Sequence, residues 1–114
     1  MIDPLTFHEK FSLKDFDFQY NLRVKRPDYE TTVIPNWVER SRVAREKLNT
    51  IVDQRYGEGE KQKLDVFRVK DPNAPTLVYF HGGYWQRGDK SIYSFLASPF
   101  NSEGVTFITV GYDL

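Results

Sequence analysis

Hydrophobic and polar positions along this chain change their period from segment to segment. From position 16 to 24, Phe16, Phe18, Tyr20, Leu22 and Val24 alternate with Asp17, Gln19, Asn21 and Arg23. A period of two predicts a half-buried strand or an extended arm lying on a body; no Gly-containing hairpin turn follows, which favours the arm. The period then lengthens. Trp37, Ser41, Ala44, Leu48 and Ile51 fall on one stripe, with Arg40, Arg42, Arg45, Glu46 and Lys47 around the rest, and this predicts a surface helix over residues 37–49 packed on a core. Asn36 is placed to cap it, and Glu39 stands three residues on, at the reciprocal position of a capping box. Its basic residues are interleaved with acids, the pattern of a solvated face.

Two short strands follow around Gly57-Glu58-Gly59, over residues 51–56 and 64–69. In the second, Leu64, Val66 and Arg68 alternate with Asp65, Phe67 and Val69. Asp71-Pro72-Asn73-Ala74-Pro75 is a strong breaker. Thr76-Leu77-Val78-Tyr79-Phe80 is a continuous apolar, β-prone run, as expected of a strand buried on both faces. Residues 89–102 predict a helix capped by Asp89, with Ile92, Phe95, Leu96 and Phe100 as its apolar face. Pro99 should bend or restart it, and Gly104 should close it. Residues 105–110 predict a second buried strand. Strand, crossover and strand make a right-handed βαβ unit. The fold class is therefore α/β: an early hairpin plus a βαβ unit, preceded by an extended arm (residues 1–36) and the amphipathic helix.

Composition narrows the function classes. At 114 residues the chain is one domain at most. Its 16 Lys+Arg balance 16 Asp+Glu, which argues against nucleic acid or an anionic membrane held by bulk electrostatics. The absence of Cys excludes disulfides, thiolate nucleophiles and Cys-ligated zinc. No apolar run has the length of a membrane span, no signal peptide opens the chain, and no Asn-x-Ser/Thr acceptor occurs. The expectation is a cytoplasmic protein. No His/Asp/Glu cluster has metal-ligand spacing, and Gly57-x-Gly59 lacks the third glycine and the setting of a dinucleotide loop, so neither a metal nor a cofactor is expected.

The informative stretch is His81-Gly82-Gly83-Tyr84-Trp85, directly after the apolar strand and before the 89–102 helix. Two glycines there let the backbone turn and bring N–H groups close to a bound atom. Converging N–H groups can hold an oxyanion. Those five residues resemble the His-Gly-Gly-x-Trp oxyanion motif of α/β-hydrolases, of the kynurenine formamidase (arylformamidase) and esterase groups. Asp89-Lys90-Ser91, Tyr20-Asn21-x-Arg23, Tyr56-Gly57, Leu64-Asp65-Val66-Phe67 and Val110-Gly111-Tyr112-Asp113-Leu114 resemble the formamidase-like branch as well. The resemblance implies an acyl hydrolase in which main-chain N–H groups of Gly83 and Tyr84 form the oxyanion hole. His81 and Trp85 would support the loop, His81 not being the triad histidine. The substrate would be a small acyl ester or an aryl formamide resembling N-formylkynurenine. The aromatic arm over residues 7–24 would cover the mouth of the site.

The family's nucleophile sits in a Gly-x-Ser-x-Gly elbow, followed by the acid and the histidine. No such elbow occurs among Ser12, Ser41, Ser91, Ser94, Ser98 and Ser102, and the histidines are His8 and His81. None of the triad is therefore expected here, and residues 37–114 read as the N-terminal portion of the hydrolase domain. His8 reads as a surface histidine. Ser91 reads as a cap or a solvent-facing residue, Arg87 and Lys90 as solvated loop charges. Asp65 and Asp113 do not form a paired acid–base system. The strand at 76–80 should lack its serine-bearing neighbour and present an open edge. That edge leaves three options: a companion polypeptide such as the C-terminal part of the same domain, a homo-oligomer, or further residues of the same chain. A non-catalytic homologue acting as a binding module is the alternative to the enzyme.

Overall fold

The computed structural model describes residues 12, 14, 26–82 and 89–113. It divides into two compact units, Met1–Val33 and Ile34–Leu114. In the first, Arg26 and Asp28 form an exposed ion pair, and the Asp28 carbonyl accepts from both the Thr32 and Val33 N–H groups as the π-helical turn Tyr29–Val33 begins. The alternating arm and His8 lie outside the described residues.

The second unit opens with helix α1, Ile34–Lys47. It starts three residues earlier than the capping box predicts. Pro35 has a fixed φ suited to a first helical turn, where its missing N–H costs nothing, so Asn36 lies inside the helix and is not its cap. Ser41 and Ala44 are the buried positions of the stripe. Ile51 falls beyond the helix, in strand β1 (Thr50–Arg55), with its side chain exposed.

β1 pairs antiparallel with β2 (Lys63–Phe67), β2 antiparallel with β4 (Thr106–Val110), and β4 parallel with β3 (Thr76–Phe80). The sheet order is β1-β2-β4-β3. The segment between β3 and β4 contains a 3₁₀ helix, Lys90–Leu96, running into α2, Ala97–Ser102. The expected single helix is thus two. Pro99 has no N–H to give to a carbonyl four residues back, so α-helical bonding starts at Ala97, with the proline in its first turn. Three residues per turn then replaces 3.6, and the buried positions become Ser94 and Ala97, i and i+3. Gly104 ends the helix at φ +77, as expected.

One face of the sheet presents Phe67, Phe107, Leu77 and Tyr79, packed with Ala97, Leu96, Phe100 and Leu48. Phe107 stacks on Phe100 with centroids 5.4 Å apart, and on Tyr79. The opposite face of β3 is open: Val78 is 49% and Phe80 64% exposed. The expectation of burial on both faces is therefore corrected. β3 is the edge strand of the described sheet, and among the described residues no layer covers its outer side chains.

Candidate functional site

The parallel strands β3 and β4 end side by side, and the residues just beyond them, His81-Gly82 and Gly111-Tyr112, lie at one end of the sheet. Two tyrosine hydroxyls tie these ends together. Tyr56, at the end of β1, donates to the Gly111 carbonyl, and Tyr112 donates to the His81 carbonyl. The His81 ring is 4% exposed, stacked against Tyr112 at 4.6 Å and parallel to Tyr93 at 5.7 Å. Its Nδ1 lies 2.8 Å from the Gly82 carbonyl. A carbonyl can only accept, so Nδ1 carries the proton and donates. Both carbonyls of the His81-Gly82 pair are thereby held where the chain leaves the sheet.

Among the described residues no heavy atom lies within 4 Å of where a Cβ on Gly82 would stand, so none of them demands a glycine there. Gly111 is different. A Cβ would come 2.5 Å from the Lys61 carbonyl and 2.9 Å from that of Lys63, whose oxygen accepts the Gly111 N–H. Backbone packs on backbone at that point, and only glycine fits.

Gly83, Tyr84, Trp85 and Arg87 lie outside the described residues, so the oxyanion-hole assignment concerns a segment flanked by known anchors. On its far side Asp89 caps the 3₁₀ helix as expected, its carboxylate accepting from the Ser91 N–H at 2.7 Å. Burial works against the charge of Asp89, but the hydrogen bonds at Ser91 outweigh it and its carboxyl titrates below the ordinary value. Ser91 is the capped residue, not the cap.

Lys90 is not a solvated loop charge. Its ammonium lies 2.9 Å from Asp65 Oδ1 and 2.7 Å from Asp53 Oδ1, and its side chain is 12% exposed. Burial penalises the ammonium, yet the two carboxylates outweigh that and raise its pKa. Asp53 is in turn held below the usual carboxylate range by the Lys90 hydrogen bond and charge. The register of β1 on β2 slips between Ile51 and Gln54, so that Val52 and Asp53 together face Asp65. Asp53 takes φ 55, the left-handed region that Asp tolerates, and its N–H donates to Asp65 Oδ1 at 2.9 Å. Asp65 is 1% exposed, on the same face as Phe67. This network was not read from the sequence. The available signals were a charge in phase with Phe67 in one strand and an Asp amid the β-prone residues of another. A cleft of about 210 Å³ opens here, between Lys61, Lys90, His81 and Tyr112.

Helix α1 braces the 3₁₀ helix from behind. The Ser41 hydroxyl donates to the Ile92 carbonyl at 2.8 Å and accepts from the Phe95 N–H at 3.0 Å. Arg45 donates to the Ser91 carbonyl at 2.6 Å and the Ser94 hydroxyl at 3.0 Å. Arg45 therefore leaves the solvated face to which the helical pattern assigned it. Arg42 stays there, between Glu39 and Glu46. Arg40 lies over the Phe95 ring, which stacks on Trp37. The Thr109 hydroxyl, buried beside Asp65 in the ladder, has no hydrogen-bond partner among the described residues, and nothing in the structure explains it. Among the described residues no group of three or more His, Asp or Glu can hold a metal ion, and no helix is long and apolar enough to cross a membrane.

No family model matches the chain. It is 42% identical over 73 residues to the kynurenine formamidase of Danio rerio, a match covering 62% of this chain and 25% of that protein. It is 35% identical over 98 residues to the kynurenine formamidase of Salmo salar, covering 84% and 33%. The Drosophila melanogaster enzyme of the same name gives 35% over 96 residues, covering 78% and 32%. The chain thus spans a third or less of the length of these relatives. Among solved structures, one assigned as a thioesterase from Silicibacter sp. tm1040 superposes with a TM-score of 0.64 at 33% identity, covering 70% of this chain and 31% of that one. Esterase B from Lactobacillus rhamnosis superposes at 0.55 and 20% identity, covering 87% and 33%, a likeness of fold alone.

Proposed function

We propose that this chain, a homologue of the kynurenine formamidases with the mixed α/β architecture of α/β-hydrolase esterases, supplies the oxyanion hole of an acyl hydrolase. The substrate is a small acyl ester or an aryl formamide of the N-formylkynurenine type. A serine hydroxyl from outside these 114 residues attacks the carbonyl carbon, and the tetrahedral oxyanion is held by the N–H groups of Gly83 and Tyr84. One such donor is worth about 10²–10³ in rate, because it meets charge that exists only in the transition state.

The observation that carries this reading is the placement of His81-Gly82, the first two residues of the motif. They leave the C-terminal end of a strand parallel to its neighbour, with the carbonyls of His81 and Gly82 already bound by Tyr112 and by the His81 ring. In this reading His81 supports the start of the loop by holding the Gly82 carbonyl.

The test uses the full-length protein with p-nitrophenyl acetate and an aryl formamide. Tyr84→Pro deletes one donor and should lower kcat by about 10²-fold or more with KM little changed. Hydrolysis of neither substrate by the wild type, or a Tyr84→Pro variant with unchanged kcat, refutes the proposal.

A further inference from the structure

We propose that the groove between α1 and the crossover is a binding site for a small carboxylate that carries one apolar ring. The groove holds about 270 Å³ and is lined by Arg40, Val43, Ala44, Lys47 and Leu48 of α1 and its C-terminal end, and by Phe95 of the 3₁₀ helix. The first five stand at i, i+3, i+4, i+7 and i+8, the spacing of one helical face. It shares no residue with the cleft beside His81 and Lys90. A drug-sized ligand needs roughly 300–1,000 Å³, so a smaller groove suits one ring and a single charged group.

Charge decides what the ring should carry. α1 bears the acids Glu39 and Glu46 and the cations Arg40, Arg42, Arg45 and Lys47. Arg42 takes both acids, at 2.7 and 2.6 Å. Arg45 turns inward to the Ser91 carbonyl and the Ser94 hydroxyl. Arg40 and Lys47 are the two cations that line the groove, and among the described residues neither has a carboxylate partner. They stand two turns apart, about 10 Å along the axis, with Val43 and Ala44 between them. An apolar floor under two unmatched positive charges is complementary to an apolar group with one negative end.

Arg40 is the residue to hold that end. Its guanidinium carbon lies 4.8 Å from the centre of the Phe95 ring, and Phe95 in turn stacks on Trp37. A guanidinium held over a ring still has its in-plane N–H groups to offer a carboxylate in pairs. Lys47, a point charge on a flexible stem, adds attraction without fixing an orientation. The ligand's ring then packs against Val43, Leu48 and Phe95, where it leaves water.

The experiment titrates 3-phenylpropanoate into the full-length protein, labelled at its valine and leucine methyls and followed by NMR. The Val43 and Leu48 methyls should shift together and saturably, with a Kd on the order of 1 mM for a ligand of this size. This readout is local to the groove and needs no hydrolase activity. 3-Phenylpropanamide, which lacks the charge, and propanoate, which lacks the ring, should each bind about tenfold more weakly or worse. Arg40→Gln should weaken the acid about fivefold and Lys47→Gln about twofold, at exposed positions that leave the melting temperature little changed. Arg40→Lys should fall between wild type and Arg40→Gln, because it keeps the charge and loses the paired N–H groups. Added salt should raise Kd in the wild type and much less in the double variant Arg40→Gln with Lys47→Gln. Val43 and Leu48 methyls that stay still at about 10 mM acid, ten times the expected Kd, overturn the inference. So do an amide that binds as tightly as the acid and an affinity unchanged in the folded double variant.

Discussion

Removing one oxygen atom, by Ser41→Ala, is the sharpest test of how α1 holds the crossover. Ser41 has no exposed surface, and its hydroxyl stands between the Ile92 carbonyl and the Phe95 N–H. The alanine variant strands one buried acceptor and one buried donor. Each costs about 1–3 kcal/mol when left unpaired. Part is recovered if the two, three residues apart, close on each other as a 3₁₀ turn allows. The net expectation is about 2 kcal/mol, or roughly 10 °C in melting temperature for a unit of this size. Urea denaturation gives the first figure. Hydrogen exchange gives an independent one, since the Phe95 amide should lose about 30-fold in protection if it exchanges through the opening that the serine restrains. Ser41→Cys, similar in size and a weaker hydrogen-bonding group, should fall between the two. A loss below about 0.5 kcal/mol with Phe95 still protected would show that the turn closes unaided, and the bracing account would be wrong.

Four further outcomes are expected. Gly111→Ala drives a methyl against two backbone carbonyls and should cost more than about 2 kcal/mol in chemical denaturation, as overpacking against backbone that cannot yield. Tyr112→Phe removes the donor to the His81 carbonyl; about 1 kcal/mol of stability should be lost, and, on the proposed function, kcat of the full-length protein for ester hydrolysis should fall with little change in KM. The pH dependence has a sign at each end. Asp53, lowered by Lys90, contributes stability that is present above its ordinary pKa of 3.8 and lost as pH falls through the depressed value. Lys90, raised by its carboxylates against burial, contributes stability present below 10.5 and lost as pH rises through the elevated value. Melting temperature against pH should be flat between and fall at both ends, with both slopes reduced in Lys90→Met. Finally, Val78→Thr with Phe80→Thr replaces the exposed apolar side chains of the edge strand. In the isolated chain it should lower the apparent mass in size-exclusion chromatography if that face drives self-association, at a cost under about 0.5 kcal/mol in stability.

How much was legible in the residues follows from the range of the forces involved. Element type is a local matter of period and turn chemistry. The β3 run, the capping Asp89, the closing Gly104 and the strand–crossover–strand order were all readable as soon as the apolar positions were marked. Pro35 and Pro99 were visible too, yet their effects depend on where in a helix they fall. The start of α1 and the 3₁₀ character of residues 90–96 accordingly differ from what the apolar pattern predicts.

The His81-Gly82-Gly83-Tyr84-Trp85 motif was likewise a property of the sequence, because its order along the chain is what carries the resemblance to the hydrolases. Its anchoring was not. Asp53, Asp65 and Lys90 are 12 and 25 residues apart, and each taken alone reads as a surface charge. Pairing β1 with β2 through a bulge, and laying the 3₁₀ helix across them, puts the two carboxylates on the one Lys90 nitrogen. Ser41 and Arg45 met the crossover in the same way, from 46 to 54 residues off. Hydrophobic pattern says which side of an element faces inward; which polar groups meet there depends on register, and register is set only when the sheet and helices pack.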